Sequence, residues 1–186
     1  MESMSRLTAC ALAALLVAGC SSGEKKPPAP PGSREYRTDA YTFAYPSTWT
    51  PRTTTEEGGA PVLKVDGPEL PSGVYDGQVH VGRRDRHAGG LADQLSQFRG
   101  LAQLNGYRVT AVRETKLDGA ADARRIEARY EITTQDGTRT PMRLLGLYAL
   151  TKRRTLLEFM IRSPERGTAA AQAPAILASF RLTGGR

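Results

Sequence analysis

Two histidines, His80 and His87, are the only imidazoles in the chain, and so the only side chains whose ordinary pKa suits proton transfer near neutrality. A Ser-His-Asp arrangement would have to combine Asp85, His87 and a distant serine, and nothing in the spacing favours it. His80, Asp85 and His87 also make a poor metal set, because Arg83, Arg84 and Arg86 stand among them and repel a cation. The chain has no Gly-x-Ser-x-Gly elbow, no His-Glu-x-x-His, no Walker-type phosphate loop and no Gly-x-Gly-x-x-Gly. These residues predict no catalytic group, no metal site and no cofactor.

In place of a catalytic set the chain has arginine. Arg83, Arg84 and Arg86 form one basic cluster, Arg124 and Arg125 a second, and Lys152, Arg153 and Arg154 a third at a hairpin tip. A guanidinium fork grips phosphate or carboxylate through paired N–H donors, so these are candidate anion-binding residues. The formal net charge of +7 points the same way, toward anionic lipid, glycolipid or wall polymer. The same clusters also fit plain solvated faces and turn tips. No aromatic residues interleave with them as a nucleic-acid groove would require, and an exported protein meets little nucleic acid, so none is expected as a partner.

The chain has two cysteines. Arg6 precedes an apolar run from Leu7 to Ala18, too short to span a bilayer but long enough for a signal-peptide core. Val17-Ala18-Gly19-Cys20 resembles a lipobox. That resemblance implies cleavage before Cys20 and a lipid on its sulfur, hence a protein anchored at the extracytoplasmic face of the cell membrane. Cys10 would be lost with residues 1–19 and Cys20 consumed by acylation, which leaves no disulfide. Met1 and Met4 both remain as starts. Residues 20–35 then read as the lipidated cysteine and a tether whose prolines favour an extended path, setting the domain roughly 40 Å from the lipid.

The elements that must position the arginines follow from periodicity. Tyr41, Phe43 and Tyr45 alternate with small residues and end at Pro46, a strand. Val62–Val65 and Gln78–Gly82 are two more. Residues 88–104 place Leu91, Leu95, Phe98, Leu101 or Ala102, and Leu104 at helical spacing, with Gly106 as a stop. Tyr107, Val109 and Ala111 share a strand face. In residues 123–134, Ile126, Ala128, Tyr130 and Ile132 face in, while Arg125, Glu127, Arg129 and Glu131 face out with lateral ion pairs. Asp136-Gly137 marks a hairpin. Met142–Leu150 is apolar on both faces, hence central, and a turn at Lys152-Arg153-Arg154 leads into Leu156–Ile161. A helix near 168–179 contains Pro174, and Phe180 returns to the core. Segregated strands and helices predict an α+β domain over residues 36–184, an antiparallel meander flanked by helices in an α/β/α sandwich.

The segment Asp39-Ala40-Tyr41-Thr42-Phe43-Ala44-Tyr45-Pro46-Ser47-Thr48-Trp49 resembles the opening of PsbP-like domains, and Ser179-Phe180 after the last helix is similar to their ending. With the lipobox, the chain most resembles the actinobacterial LpqN-type lipoproteins. The resemblance implies an antiparallel sheet flanked by helices and a binding, scaffold or accessory role without enzymatic activity. It carries no functional residue onto this chain; Trp49 reads as core. Three functions follow as expectations: a non-catalytic envelope protein binding an anionic or amphipathic ligand or a membrane-protein partner; a hydrolase of envelope esters or glycans; or a structural subunit of a membrane complex.

Overall fold

The computed structural model describes residues 29–30, 32–55, 60–134 and 136–183. The expected signal segment, Cys20 and most of the tether lie outside the described residues. Five strands come first: β1 (Ser33–Arg37), β2 (Tyr41–Pro46), β3 (Thr50–Thr55), β4 (Pro61–Asp66) and β5 (Gln78–Arg84). Helix α1 (Leu91–Leu104) follows, then the meander β6 (Arg108–Glu114), β7 (Ala120–Thr133), β8 (Arg139–Thr151) and β9 (Leu156–Pro164). Helix α2 (Thr168–Ser179) and the short β10 (Arg181–Leu182) complete the domain.

β3 to β9 form a seven-stranded sheet in the order β3-β4-β5-β9-β8-β7-β6, every neighbour antiparallel. β1, β2 and β10 form a second sheet of three strands, with β2 in the middle. The α+β antiparallel architecture expected from the sequence is the one observed. β1 starts at Ser33, pairing Ser33 to Arg37 with Pro46 to Thr42. Residues 33–35, which composition assigns to the tether, are strand. They lack large apolar side chains because β1 is a sheet edge held by backbone pairing, which needs no buried face.

The large sheet is covered on both faces. β8 shows why: Leu145, Leu147 and Ala149 belong to one buried cluster, Leu144, Tyr148 and Leu150 to the other. Alternate side chains point to opposite faces, so an apolar strand without alternation must be covered twice. On one face sit β2 and α2, which bring Phe43, Ile176 and Phe180 onto Val65, Val79 and Phe159. Phe159 meets Phe43 edge-on with ring centroids 5.0 Å apart, and Phe180 in a tilted pair at 4.7 Å. Ser179 joins α2 to β2: its Oγ accepts from the Ala44 N–H at 2.8 Å and donates to the Ile176 carbonyl at 2.6 Å. On the other face α1 lays Leu91 and Leu95 over Ile126, Ala128 and Leu144.

Neither helix covers its whole face. α1 packs on β6, β7 and β8, while α2 packs on β2, β8 and β9. The α1 side of β4, β5 and β9, and the α2 side of β6 and β7, are left without a helix.

α1 also differs from its expected orientation. Leu101 and Leu104 are 60% and 84% exposed, and Gln94 is buried. Ala102 is the last buried residue of the helix, so the final turn runs past the packed part of the sheet. Asn105 and Gly106 end it: Asn105 Nδ2 donates to the Leu101 carbonyl at 2.8 Å, and Gly106 takes φ +72.

Candidate functional site

The uncovered strip beside α1 is a cleft of about 570 Å³. Its floor is β5 and β9, and its wall is the exposed flank of α1. Strand register sets the floor. His80 of β5 lies between Lys64 of β4 and Met160 of β9, and Gln78 lies between Asp66 and Arg162. Beside Met160 comes Gly146 of β8, where a Cβ would stand 2.5 Å from the Met160 sulfur and 2.6 Å from Ile126 Cγ1. The missing side chain lets Met160 lie flat and keeps the floor low.

The wall is partly apolar. Phe98 meets Tyr148 edge-on at 6.1 Å between ring centroids, and Leu101 and Ala102 continue toward the rim. Tyr148 is buried, which pushes its phenol well above the ordinary value; the nearby Glu158 carboxylate pushes it further. It therefore stays neutral and adds apolar surface.

The polar groups divide into engaged and unengaged. Arg84 forms an ion pair with Glu158 and donates to Gln94 Oε1 at 2.8 Å, which explains the buried glutamine on α1. Arg162 lines the same cleft, and its Nε is buried with no hydrogen-bond partner. A buried donor without an acceptor costs free energy and calls for a ligand or a water. The cleft thus combines a partly apolar wall with an unsatisfied cationic donor, an arrangement able to hold an amphiphile by its anionic end.

The sequence-predicted anion-binding residues are dispersed. Arg83 pairs with Asp39 at 2.9 Å and Asp85 at 3.1 Å. Arg86 sits in the turn after β5 with φ 54. Arg154 is a clamp: its Nε donates to the His87 carbonyl at 3.0 Å, and its Nη2 to the Ala88 and Gly89 carbonyls at 2.6 and 2.7 Å. Arg124 pairs with Glu114 and Asp122 and donates to the Ala123 carbonyl at 3.0 Å. Arg125, its neighbour in sequence, lies on the opposite face of β7. The fold does bring Arg83, Lys152 and Arg153 together, around a hollow of about 400 Å³ that Asp39 also lines. The cleft residue Arg162 was missed by sequence reasoning; a cation inside the apolar strand Leu156–Ile161 and its extension was the available signal.

Asp85 and His87 make no acid–base pair. The Asp85 carboxylate accepts from the Thr155 hydroxyl at 2.8 Å and from Arg83, and these two hold it below the ordinary carboxylate range. His87 Nε2 is buried without a partner. His80 is in the cleft, apart from that loop. Among the described residues no group of His, Cys, Asp or Glu gathers into a metal-binding set. No helix among them is long and apolar enough to cross a membrane.

No family model and no curated protein matches this chain. Solved structures do. The cyanobacterial PsbP (CyanoP) of Synechocystis sp. PCC 6803 matches with a TM-score of 0.51 and 14% identity, over 89% of this chain and 98% of that one. The Saccharomyces cerevisiae Ran-binding protein Mog1p matches with a TM-score of 0.50 and 13% identity, over 81% of this chain and 95% of that one. LpqN of Mycobacterium tuberculosis, involved in cell envelope biogenesis, gives a TM-score of 0.42 and 14% identity, over 84% and 81%.

Proposed function

We propose that this chain, which has the PsbP/Mog1-like fold, is a non-catalytic, lipid-anchored envelope protein that holds an anionic amphiphile in the cleft beside α1. One observation carries the reading: Arg162 presents a buried, unpartnered donor in a cleft walled by Phe98, Leu101 and Tyr148. An acyl or other apolar body would cover the wall, and a phosphate or carboxylate would satisfy the guanidinium. Arg83, Lys152 and Arg153 offer a second, smaller contact for anions. The anchor is read from Val17 to Cys20.

Native mass spectrometry of the protein, extracted gently from its own host's envelope, tests this. A retained small amphiphile is the expected result, and its mass gives the ligand class. A clean apo mass overturns the reading. The anchor has its own test, the mass of the N-terminal peptide from host membranes. A diacylglyceryl group on Cys20 is expected, and an unmodified Cys20 rejects the anchor.

A protein-partner role is the second reading. It is favoured by Leu101 and Leu104, large apolar side chains exposed together at the end of α1. Mog1p, of the same fold, is a Ran-binding protein. Cross-linking in intact cells through position 104 would capture such a partner.

A further inference from the structure

The second uncovered strip, on the α2 side of β6 and β7, carries arginines in register. Arg108 of β6 lies directly opposite Arg129 of β7, and Arg129 directly opposite Arg143 of β8. Further along, Arg113 of β6 lies opposite Arg125 of β7. Directly opposed residues of antiparallel strands share a face, so these five arginines form one platform. Strands lie about 4.8 Å apart and rise about 3.3 Å per residue, so the platform measures roughly 10 by 13 Å.

Like charges placed directly opposite destabilise a sheet. The local carboxylates relieve only part of this. Glu127 accepts from Arg143 at 3.2 Å and Glu165 pairs with Arg129 at 3.5 Å. Glu131 lies further along the same face of β7. Among the described residues no carboxylate pairs with Arg108, Arg113 or Arg125, and all three are exposed.

We propose that this arginine platform on β6, β7 and β8 docks onto the surface of an anionic phospholipid bilayer. Charge favours a membrane. Arg108, Arg113, Arg125 and Arg129 are exposed on one sheet face, able to set several guanidinium forks on a layer of phosphates at once. A protein-docking surface has an apolar centre. The large apolar side chains exposed among the described residues are Tyr75, Leu101 and Leu104, and none belongs to this face. Leu145 and Leu177, which line the hollow beside Arg113 and Arg125, are buried. The platform therefore rests on headgroups without inserting, and the net charge of +7 draws it there. The proposal takes no support from the cleft, which opens on the opposite face of the sheet.

The test is co-sedimentation of the full chain with vesicles of phosphatidylglycerol and phosphatidylcholine, and with phosphatidylcholine alone. Arg113→Gln with Arg125→Gln is compared with Arg34→Gln with Arg99→Gln, which removes the same charge elsewhere. Any contribution of the N-terminal apolar run is common to all the proteins and is read on the neutral vesicles. The platform double variant is expected to lose partitioning onto anionic vesicles by roughly ten- to thirtyfold, with a weaker salt dependence, and to match wild type on neutral vesicles. The control double variant should lose far less. Equal losses in both variants, or none in the platform variant, would overturn the proposal. Circular dichroism confirms folding; if the glutamine pair unfolds, Arg113→Lys with Arg125→Lys must retain anionic binding, and its loss would equally overturn the electrostatic docking. Retention of an amphiphile in the cleft should be the same in platform variants and wild type.

Discussion

Gly77 lies against the six-membered ring of Trp49, so close that a Cβ at position 77 would stand 2.5 Å from Trp49 Cη2 and 2.7 Å from the Ala169 Cβ. Gly67 closes the other side, where a Cβ would be 3.1 Å from Trp49 Nε1, and its N–H donates to the Gly77 carbonyl at 2.8 Å. The ring is 4% exposed and wedged where the loop after β4 meets the start of α2. Gly77→Ala should therefore cost about 1–3 kcal/mol by overpacking. Trp49→Ala should cost about 3–5 kcal/mol by leaving a cavity. Urea denaturation measures both, and an unchanged Gly77→Ala would show that the ring moves aside.

Arg154 ties the β8–β9 turn to the loop leading into α1 through three carbonyls, and its own backbone sits at φ 63. Lysine keeps the charge but cannot reach three acceptors with a planar fork. Arg154→Lys is expected to lose about 1–2 kcal/mol of stability. Amide exchange should quicken at residues 87–90 and stay unchanged in β7 and β8; a uniform increase would contradict a local clamp.

Arg162 gives a prediction in which stability and binding separate. Its Nε is buried and the protein supplies it no acceptor, so the side chain contributes a desolvation cost to the fold. Arg162→Met should leave thermal stability unchanged or raise it by up to about 1 kcal/mol, while abolishing retention of the amphiphile. Loss of stability together with retained ligand would assign Arg162 a purely structural part.

Burial pushes the Tyr41 phenol up to about 12, with Tyr36 adding to the shift. Tyr130 and Tyr148 are raised by burial as well. The unfolded chain gives up a phenolic proton near pH 10, before folded Tyr41 does, so it binds fewer protons across that interval. The contribution of Tyr41 is therefore complete below pH 10 and is lost as pH climbs through 12. Melting temperatures measured from pH 8 to 12 should fall steeply above 10, and Tyr41→Phe should flatten part of that fall. An equal slope in the variant would shift the effect to the other tyrosines.

Much of the fold is legible because its central strands obey simple periods. Met142–Leu150 is apolar without alternation and proves to be covered on both faces. The β7–β8 hairpin turns where Asp136-Gly137 says it should, with Gly137 at φ +82. The edges are less legible. β3 reads Thr-Pro-Arg-Thr-Thr-Thr and is exposed almost throughout; β1 is charged. Backbone pairing holds both, and it leaves no mark in hydrophobic pattern. The charged face of β7 was expected to carry lateral ion pairs, and Glu127 does reach Arg143. Arg125 and Arg129 instead stand opposite Arg113, Arg108 and Arg143. Pattern within one strand cannot say what lies across from it, because register is decided by hairpin length and by the bulge between Val109 and Ala111. The cleft was hidden for a related reason, since it exists only through the offset of α1.

The two outer strands of the large sheet, β3 and β6, are both unsuited to growth. Pro51 removes a backbone donor from β3, while β6 carries Arg108, Arg113 and a bulge that breaks its pairing rhythm. Such borders disfavour the addition of a second molecule's strand, which guards against runaway polymerisation. The large sheet is left to meet other molecules through its faces.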